Sequence, residues 1–300
     1  MALIEQIVAE IKDWHGKAVS IQALSGGLTN SNYQVTVDGI PFFVRVPGES
    51  TELLAVDRQN EYYNSKAAAQ AGVGPKVLYY LPKYQVMVLE FLEGRTMSRA
   101  ALQAPGMPTK IAVAIRRLHS GPRFLTDFNM FRLTEYYLGI CKQNRVRTPE
   151  GYPERLEAVG RIEKALAVHP LESVPCNNDL LAENYILVGD SMRIIDYEYS
   201  GNNDPCFELG NTCQEQQYDE ARIAEVCTAY FGSPNSSRIA RMKLNMIMSD
   251  VGWTLWAAIQ AKISKIQYDF WGWAVERWSR AVAKLDSVEF PTWLEDVQSA

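Results

Sequence analysis

The chain has 300 residues, 47% of them hydrophobic and 22% charged, with a formal net charge of −5. That is enough apolar material for a substantial core, in one large domain or in two lobes. The acidic balance and the lack of a dense Lys/Arg block leave no nucleic-acid footprint, so no nucleic-acid partner is expected.

Ile4, Ile7, Val8, Ile11 and Trp14 share one helical face, which predicts an amphipathic helix over residues 2 to 14. Strands follow at 19 to 24, 32 to 37 and 40 to 46, the last two joined by Asp38-Gly39, a strong hairpin signal. In the third strand Phe43 and Arg45 share one face, and Phe42, Val44 and Val46 the other. A helix is expected from about 53 to 71, stopped by Gly72 and Gly74-Pro75, then strands at 76 to 81 and 84 to 91 around Pro82-Lys83. Beyond Gly94 the pattern turns helical, at 108–119, 127–142, 153–168, about 205–230 and about 236–285. One hairpin interrupts it, 185–188 with 193–196 around Gly189-Asp190. The expected fold is α+β and two-lobed: residues 1–91 form a nucleotide-binding lobe of antiparallel sheet plus helix, and 92–300 a mainly helical lobe for catalysis and substrate.

Five cysteines at irregular spacing, Cys141, Cys176, Cys206, Cys213 and Cys227, suit neither a disulfide framework nor paired zinc knuckles. They read as reduced thiols in a cytoplasmic protein. Glu5 and Glu10 interrupt the apolar N-terminus and no run is long enough to span a bilayer, so neither export nor membrane insertion is expected.

The most informative stretch runs from Asn178 to Glu198. Phosphoryl transfer needs a base, oxygen ligands for Mg²⁺, and cations or backbone amides over the phosphates. Asp179 is a candidate base, and Asn184, Asp196 and Glu198 are candidate metal ligands, in the order a kinase supplies them. For any one of these residues a turn role is the simpler account. Jointly it is not, because residues 179–220 hold ten acids against the lone Arg193, a density that calls for a bound cation.

Upstream, Gly26-Gly27 between two predicted strands would let the backbone approach phosphates, with Thr29 and Asn30 beside it. Arg45 one strand later and Glu61 on the next helix match the strand-cation and helix-acid pairing of kinases. The P-loop sequence ending in Gly-Lys-Ser/Thr is absent, which disfavours that class. Six of the seven tryptophans lie after residue 250. Core packing is their ordinary role, yet rings facing an acid-rich groove can box a quaternary ammonium through cation–π attraction.

Together these segments resemble the choline/ethanolamine kinase family, whose fold is related to protein kinases and aminoglycoside phosphotransferases. Ser25-Gly-Gly-Leu-Thr-Asn-Ser-Asn-Tyr33 is similar to the family's nucleotide loop, Val44-Arg45-Val46 to its third strand, and Asp57-Arg58 with Glu61 to the start of its conserved helix. Glu90-Phe-Leu-Glu-Gly94 resembles the hinge that receives adenine through backbone groups of Glu90 and Leu92. The most specific matches are Asn178-Asp-Leu-Leu through Asn184, Ile195-Asp-Tyr-Glu-Tyr199, Phe207-Glu-Leu-Gly-Asn211 and Leu255-Trp-Ala-Ala-Ile-Gln-Ala-Lys-Ile-Ser264.

The resemblance implies an ATP- and Mg²⁺-dependent kinase acting on the hydroxyl of choline or a similar amino alcohol. Trp253, Trp256 and Trp273 would line the amine pocket and Glu215 would add negative charge. Ethanolamine, an aminoglycoside, methylthioribose or another small hydroxylated metabolite are alternative acceptors. Leu118-His119 and Arg277 match family positions read as structural. Two departures stand out. Asn177 replaces the His that usually begins the catalytic loop, so the loop's anchor to the metal-binding segment is made differently or lost; a weakened binding protein is the reading from another class. Gln216 replaces an aromatic residue, which would make one wall of the amine pocket more polar.

Overall fold

The computed structural model describes residues 3–24, 30–48 and 51–299. The small lobe is a five-stranded antiparallel sheet of β1 (Val19–Leu24), β2 (Asn30–Val37), β3 (Ile40–Pro47), β4 (Val77–Leu81) and β5 (Val86–Glu90), in the order β1-β2-β3-β5-β4. The hairpin between β2 and β3 turns at Asp38 and Gly39, both with positive φ (48° and 84°), and pairs Val37 with Ile40. Alternation along β3 sends Val44 and Val46 into the apolar core under α1 (Leu3–Glu10), where Phe42 packs 5.0 Å from Trp14. Phe43 and Arg45 point the other way, into a cleft.

The first helix is shorter than the apolar spacing suggests. Ile11 is extended (φ −83°, ψ 100°), and Lys12–Trp14 form only a tight turn that returns Trp14 to the core. The next helix, α2 (Arg58–Gln70), starts later than expected, because the Asp57 side chain caps it by accepting from the backbone N–H of Gln59 and Asn60. Gly72, at φ 71°, ends it.

The large lobe contains β6 (Arg95–Thr96), α3 (Arg99–Leu102), α4 (Met107–His119), α5 (Met130–Asn144), α6 (Leu156–Leu166), β7 (Val174–Cys176), β8 (Tyr185–Val188), β9 (Ser191–Ile194) and β10 (Gly201–Asn203). It closes with α7 (Pro205–Gln216), α8 (Glu220–Phe231), α9 (Ser236–Ile263), α10 (Phe270–Leu285) and α11 (Phe290–Asp296). The small sheets β6-β8-β9 and β10-β7 support its loops.

Both long helices expected near the C-terminus are broken. Gln217 adopts a left-handed conformation (φ 52°) that ends α7, and the Asp219 side chain caps α8. Ser264 is extended and ends α9, and the Asp269 side chain caps α10. Strand β9 stops at Ile194, two residues before the expected end, so Asp196 leaves the ladder with φ 64°. The two-residue β6 and three-residue β7 and β10 are too short to give a periodic signal. Among the described residues no helix is long and apolar enough to cross a membrane.

Helix α2 is fastened to the large lobe by two buried amides. The Asn60 and Asn64 side chains both donate to the Ser200 carbonyl, at 2.8 and 3.2 Å, and accept from Thr126 Oγ1 and the Leu125 N–H in turn. On β9, Ile194 N and Arg193 Nε both donate to the Val73 carbonyl. The acid carried by α2 is thereby held in register with the loop after β9.

Candidate active site

A cavity of about 810 Å³ opens between the sheet and the helical lobe. Arg45, Glu61, Asp179, Asn184, Asp196 and Glu198 line one part of it, and Trp253, Trp256, Tyr268 and Trp273 another. Glu90 to Gly94 border the same space, with the apolar Leu24, Phe43, Leu89, Ile186 and Ile195 nearby. Groups distant in sequence thus face one volume.

At its centre Arg45 bonds Glu61 at 3.0 Å and Asp196 at 2.5 Å through the same Nη1. Burial alone would lower the Arg45 pKa, but Asp196 and Glu61 outweigh it and hold the guanidinium charged well above its ordinary range. Arg58 braces the cluster from behind, bonding Glu61 at 2.6 Å and Glu198 at 3.3 Å. Glu198 also accepts from the Asn30 amide at 2.9 Å, and Asn30 accepts from Arg58. Asn30 sits behind the cavity wall as part of this brace. Gly26, Gly27 and Thr29 lie outside the described residues.

Asp179 stands on the loop between β7 and β8. Its carboxyl is pushed well above the usual range by burial, then by the neighbouring Asp196, Glu215 and Glu198, with Arg277 opposing. The loop's backbone is held from α7: Glu208, fully buried, accepts the N–H of Asn177 at 3.0 Å and of Asn178 at 2.7 Å, and Asn211 accepts that of Leu180 at 2.7 Å. His119 stands 3.7 Å from Glu208 and its Nδ1 bonds the Tyr230 hydroxyl. The loop supports Glu208 and Asn211 carry no periodic signal; both stand in the Phe207-Glu-Leu-Gly-Asn211 match, which by itself assigns them no role.

Asn177 keeps an anchor to the segment that carries Asp196. Its amide donates to the carbonyls of Ile195 (3.1 Å) and Asp196 (2.7 Å), and its Oδ1 accepts from the Asp179 N–H (3.1 Å). One side chain therefore ties the Asp179 loop to the Asp196 loop. Asn178 and Asp196 both have positive φ, 69° and 64°, in a region where Asn and Asp are the least strained non-glycine residues.

The donor chemistry fits a hard divalent cation. The Asn184 amide nitrogen donates to the Asp179 carbonyl at 2.7 Å, which leaves its Oδ1, together with the Asp196 carboxylate, as oxygens on the cavity. Glu198 is more deeply committed, to Arg58 and Asn30.

The aromatic part is built by α9 and α10. Trp253 and Trp256 lie one turn apart on α9, and Trp256 Nε1 donates to the Tyr199 hydroxyl at 2.6 Å. The Trp253 ring meets that of Tyr199 edge-on at 4.9 Å, Trp256 meets Trp273 at 5.7 Å and 89°, and Tyr268 meets Trp273 at 5.8 Å. Tyr268 belongs to the same aromatic cluster in sequence, whereas Tyr199 is a wall that the tryptophan pattern does not single out.

Two expectations change here. Glu215 reaches the cavity, but Arg277 holds its carboxylate at 2.5 and 2.9 Å, so its charge is largely compensated. The same guanidinium lies 4.3 Å over the Trp273 ring, occupying that face. Gln216 does not form a wall: fully buried, it donates to the Leu180 carbonyl behind the Asp179 loop. Glu90 is tied to Lys76 twice, its carboxylate accepting from the Lys76 N–H at 3.1 Å and its own N–H donating to the Lys76 carbonyl at 2.8 Å.

Paired lobes, a cation–acid pair under the sheet and a loop carboxylate facing oxygen ligands define a phosphotransferase of the protein-kinase-like class. The model of the choline/ethanolamine kinase family matches residues 21–231, and the chain belongs to that family. A choline/ethanolamine kinase family protein from Mesorhizobium loti is 33% identical, with a TM-score of 0.87 over 99% of this chain and 98% of that one. The choline kinase LicA from Streptococcus pneumoniae is 25% identical, with a TM-score of 0.79 over 95% of this chain and 99% of its own. Ethanolamine kinase 2 of Rattus norvegicus is 27% identical over 306 residues, 92% of this chain and 79% of that protein.

Proposed function

We propose that this enzyme transfers the terminal phosphoryl group of ATP to the hydroxyl of choline. The observation that carries this reading is the shared cavity: Asp179 and the Trp253, Trp256, Tyr268 and Trp273 rings line one space, so a substrate two carbons long could present its hydroxyl to the first and its methylated nitrogen to the others. A trimethylammonium needs ring faces and negative potential, whereas a primary ammonium needs hydrogen-bond acceptors, and the rings favour the first.

In this reading residues 1–91 hold the nucleotide and 92–300 the acceptor. The backbone of Glu90 and Leu92 receives adenine, Arg45 stands over the phosphates with Glu61 fixing it, and Gly26, Gly27, Thr29 and Asn30 belong to the loop above. Asn184 and Asp196 are the oxygen ligands for Mg²⁺, with Glu198 behind them; bound there, the ion would neutralise phosphate charge. Asp179 orients the hydroxyl and takes its proton as oxygen bonds to phosphorus and the bridging P–O bond of ATP breaks, releasing ADP. All five cysteines are buried and free, which supports a reducing compartment such as the cytoplasm.

The test is ADP release from Mg-ATP over a panel of choline, ethanolamine and an aminoglycoside. The highest kcat/KM is expected with choline. A clear preference for either other acceptor would overturn that assignment.

A further inference from the structure

This inference rests on the amine-kinase reading and concerns what holds the substrate's positive end. Glu215 is a poor candidate, since it is 2% exposed and bound through both oxygens by Arg277, itself 1% exposed and within 3.5 Å of Asp250. Asp179 is reserved for the hydroxyl, and Asp196 and Glu198 are tied to Arg45, Arg58 and Asn30.

Glu183 is different. It belongs to the tight turn Ala182–Asn184 that joins the base-bearing loop to β8, is exposed, and lines the cavity. Among the described residues its carboxylate has neither an ion-pair nor a hydrogen-bond partner. Glu183 and Tyr268 line the same cavity, and the Glu183 field is among those that, after burial and against Arg277, hold the Tyr268 hydroxyl above its usual range. The turn therefore brings an uncompensated carboxylate to the cavity that the rings line.

We propose that Glu183 supplies the anionic contact for the quaternary ammonium, the rings supplying its apolar and cation–π surface. An ion contact of this kind, partly wet, accounts for about a 5- to 10-fold difference in affinity. Glu183→Gln keeps the size and hydrogen-bonding capacity of the side chain and removes the charge.

The variant should raise KM for choline about 5- to 10-fold, and should move KM by less than about twofold for the neutral carbon isostere, in which tert-butyl replaces trimethylammonium. An unchanged choline KM, or equal penalties on both substrates, would overturn the proposal. A second readout separates it from the parent reading: quenching of tryptophan fluorescence by tetramethylammonium, expected to weaken by a similar factor in Glu183→Gln. If the wild type phosphorylates no amino alcohol but this difference persists, the kinase assignment falls and the role of Glu183 stands. Equal quenching of both proteins, or of neither, removes it.

Discussion

Arg277 grips both oxygens of Glu215, its two terminal nitrogens standing 2.5 and 2.9 Å from them. The pair joins α10 to α7, and Asp250 of α9 extends it, bound in turn by Arg280 at 2.6 Å. Removing one partner strands a buried charge, so Arg277→Met should cost about 3–5 kcal/mol, read from the urea midpoint. Adding Glu215→Gln should recover a large part of it. A double variant as unstable as the single would show that Arg277 acts by packing alone.

Asp179 tests the division between chemistry and stability. Asp179→Asn should abolish turnover, because the amide cannot accept the hydroxyl proton. The folded-state pKa of Asp179 is raised. Its contribution to stability is therefore complete below the ordinary carboxyl value and lost as pH rises through the folded one, so at neutral pH the ionised form destabilises the fold. The Asn variant should accordingly melt no lower than wild type, and a drop of several degrees would mark Asp179 as structural.

The same shift predicts the acid limb of the rate profile. Transfer requires the carboxylate, so kcat should climb with pH through a midpoint well above the ordinary aspartate value of about 3.9. A limb at the ordinary value would mean that the base is not desolvated in the working enzyme.

Asn177 joins two loops through three hydrogen bonds. Asn177→Ala should lower kcat about 10-fold or more, from roughly 1 kcal/mol or more of lost positioning, with a smaller change in melting temperature. Unchanged kcat would show that Glu208 and Asn211 suffice to position the loop.

Trp256 serves as a wall and as a hydrogen-bond donor to Tyr199. Trp256→Ala should raise the choline KM by about 10-fold or more while altering the ATP KM far less, since cation–π contact contributes about 0.5–2 kcal/mol and packing is lost as well. Equal effects on both constants would take it out of the amine pocket.

Much of the sheet was legible because local chemistry decides it. Asp38-Gly39 specifies a tight turn, and alternation along β3 sends Arg45 and Val44 to opposite faces whatever lies beyond. Helix ends were less legible: Asp57, Gln217 and Asp269 terminate or cap helices through one or two side-chain bonds or one left-handed residue, and no apolar spacing records them. The strand before Asp196 was drawn too long for the same reason, since one positive φ ends it.

The site divides in the same way. Sequence alone determined the kind of chemistry, because an acid, an amide and a second acid in kinase order, with a Trp-rich helix, are short-range patterns that survive without coordinates. Which charges remain available was decided only by tertiary structure. Glu215 is compensated by an Arg 62 positions away, whereas Glu183 meets no cation among the described residues. Electrostatic effect depends on the distance to every other charge and on exclusion of water, and both are properties of the packed molecule.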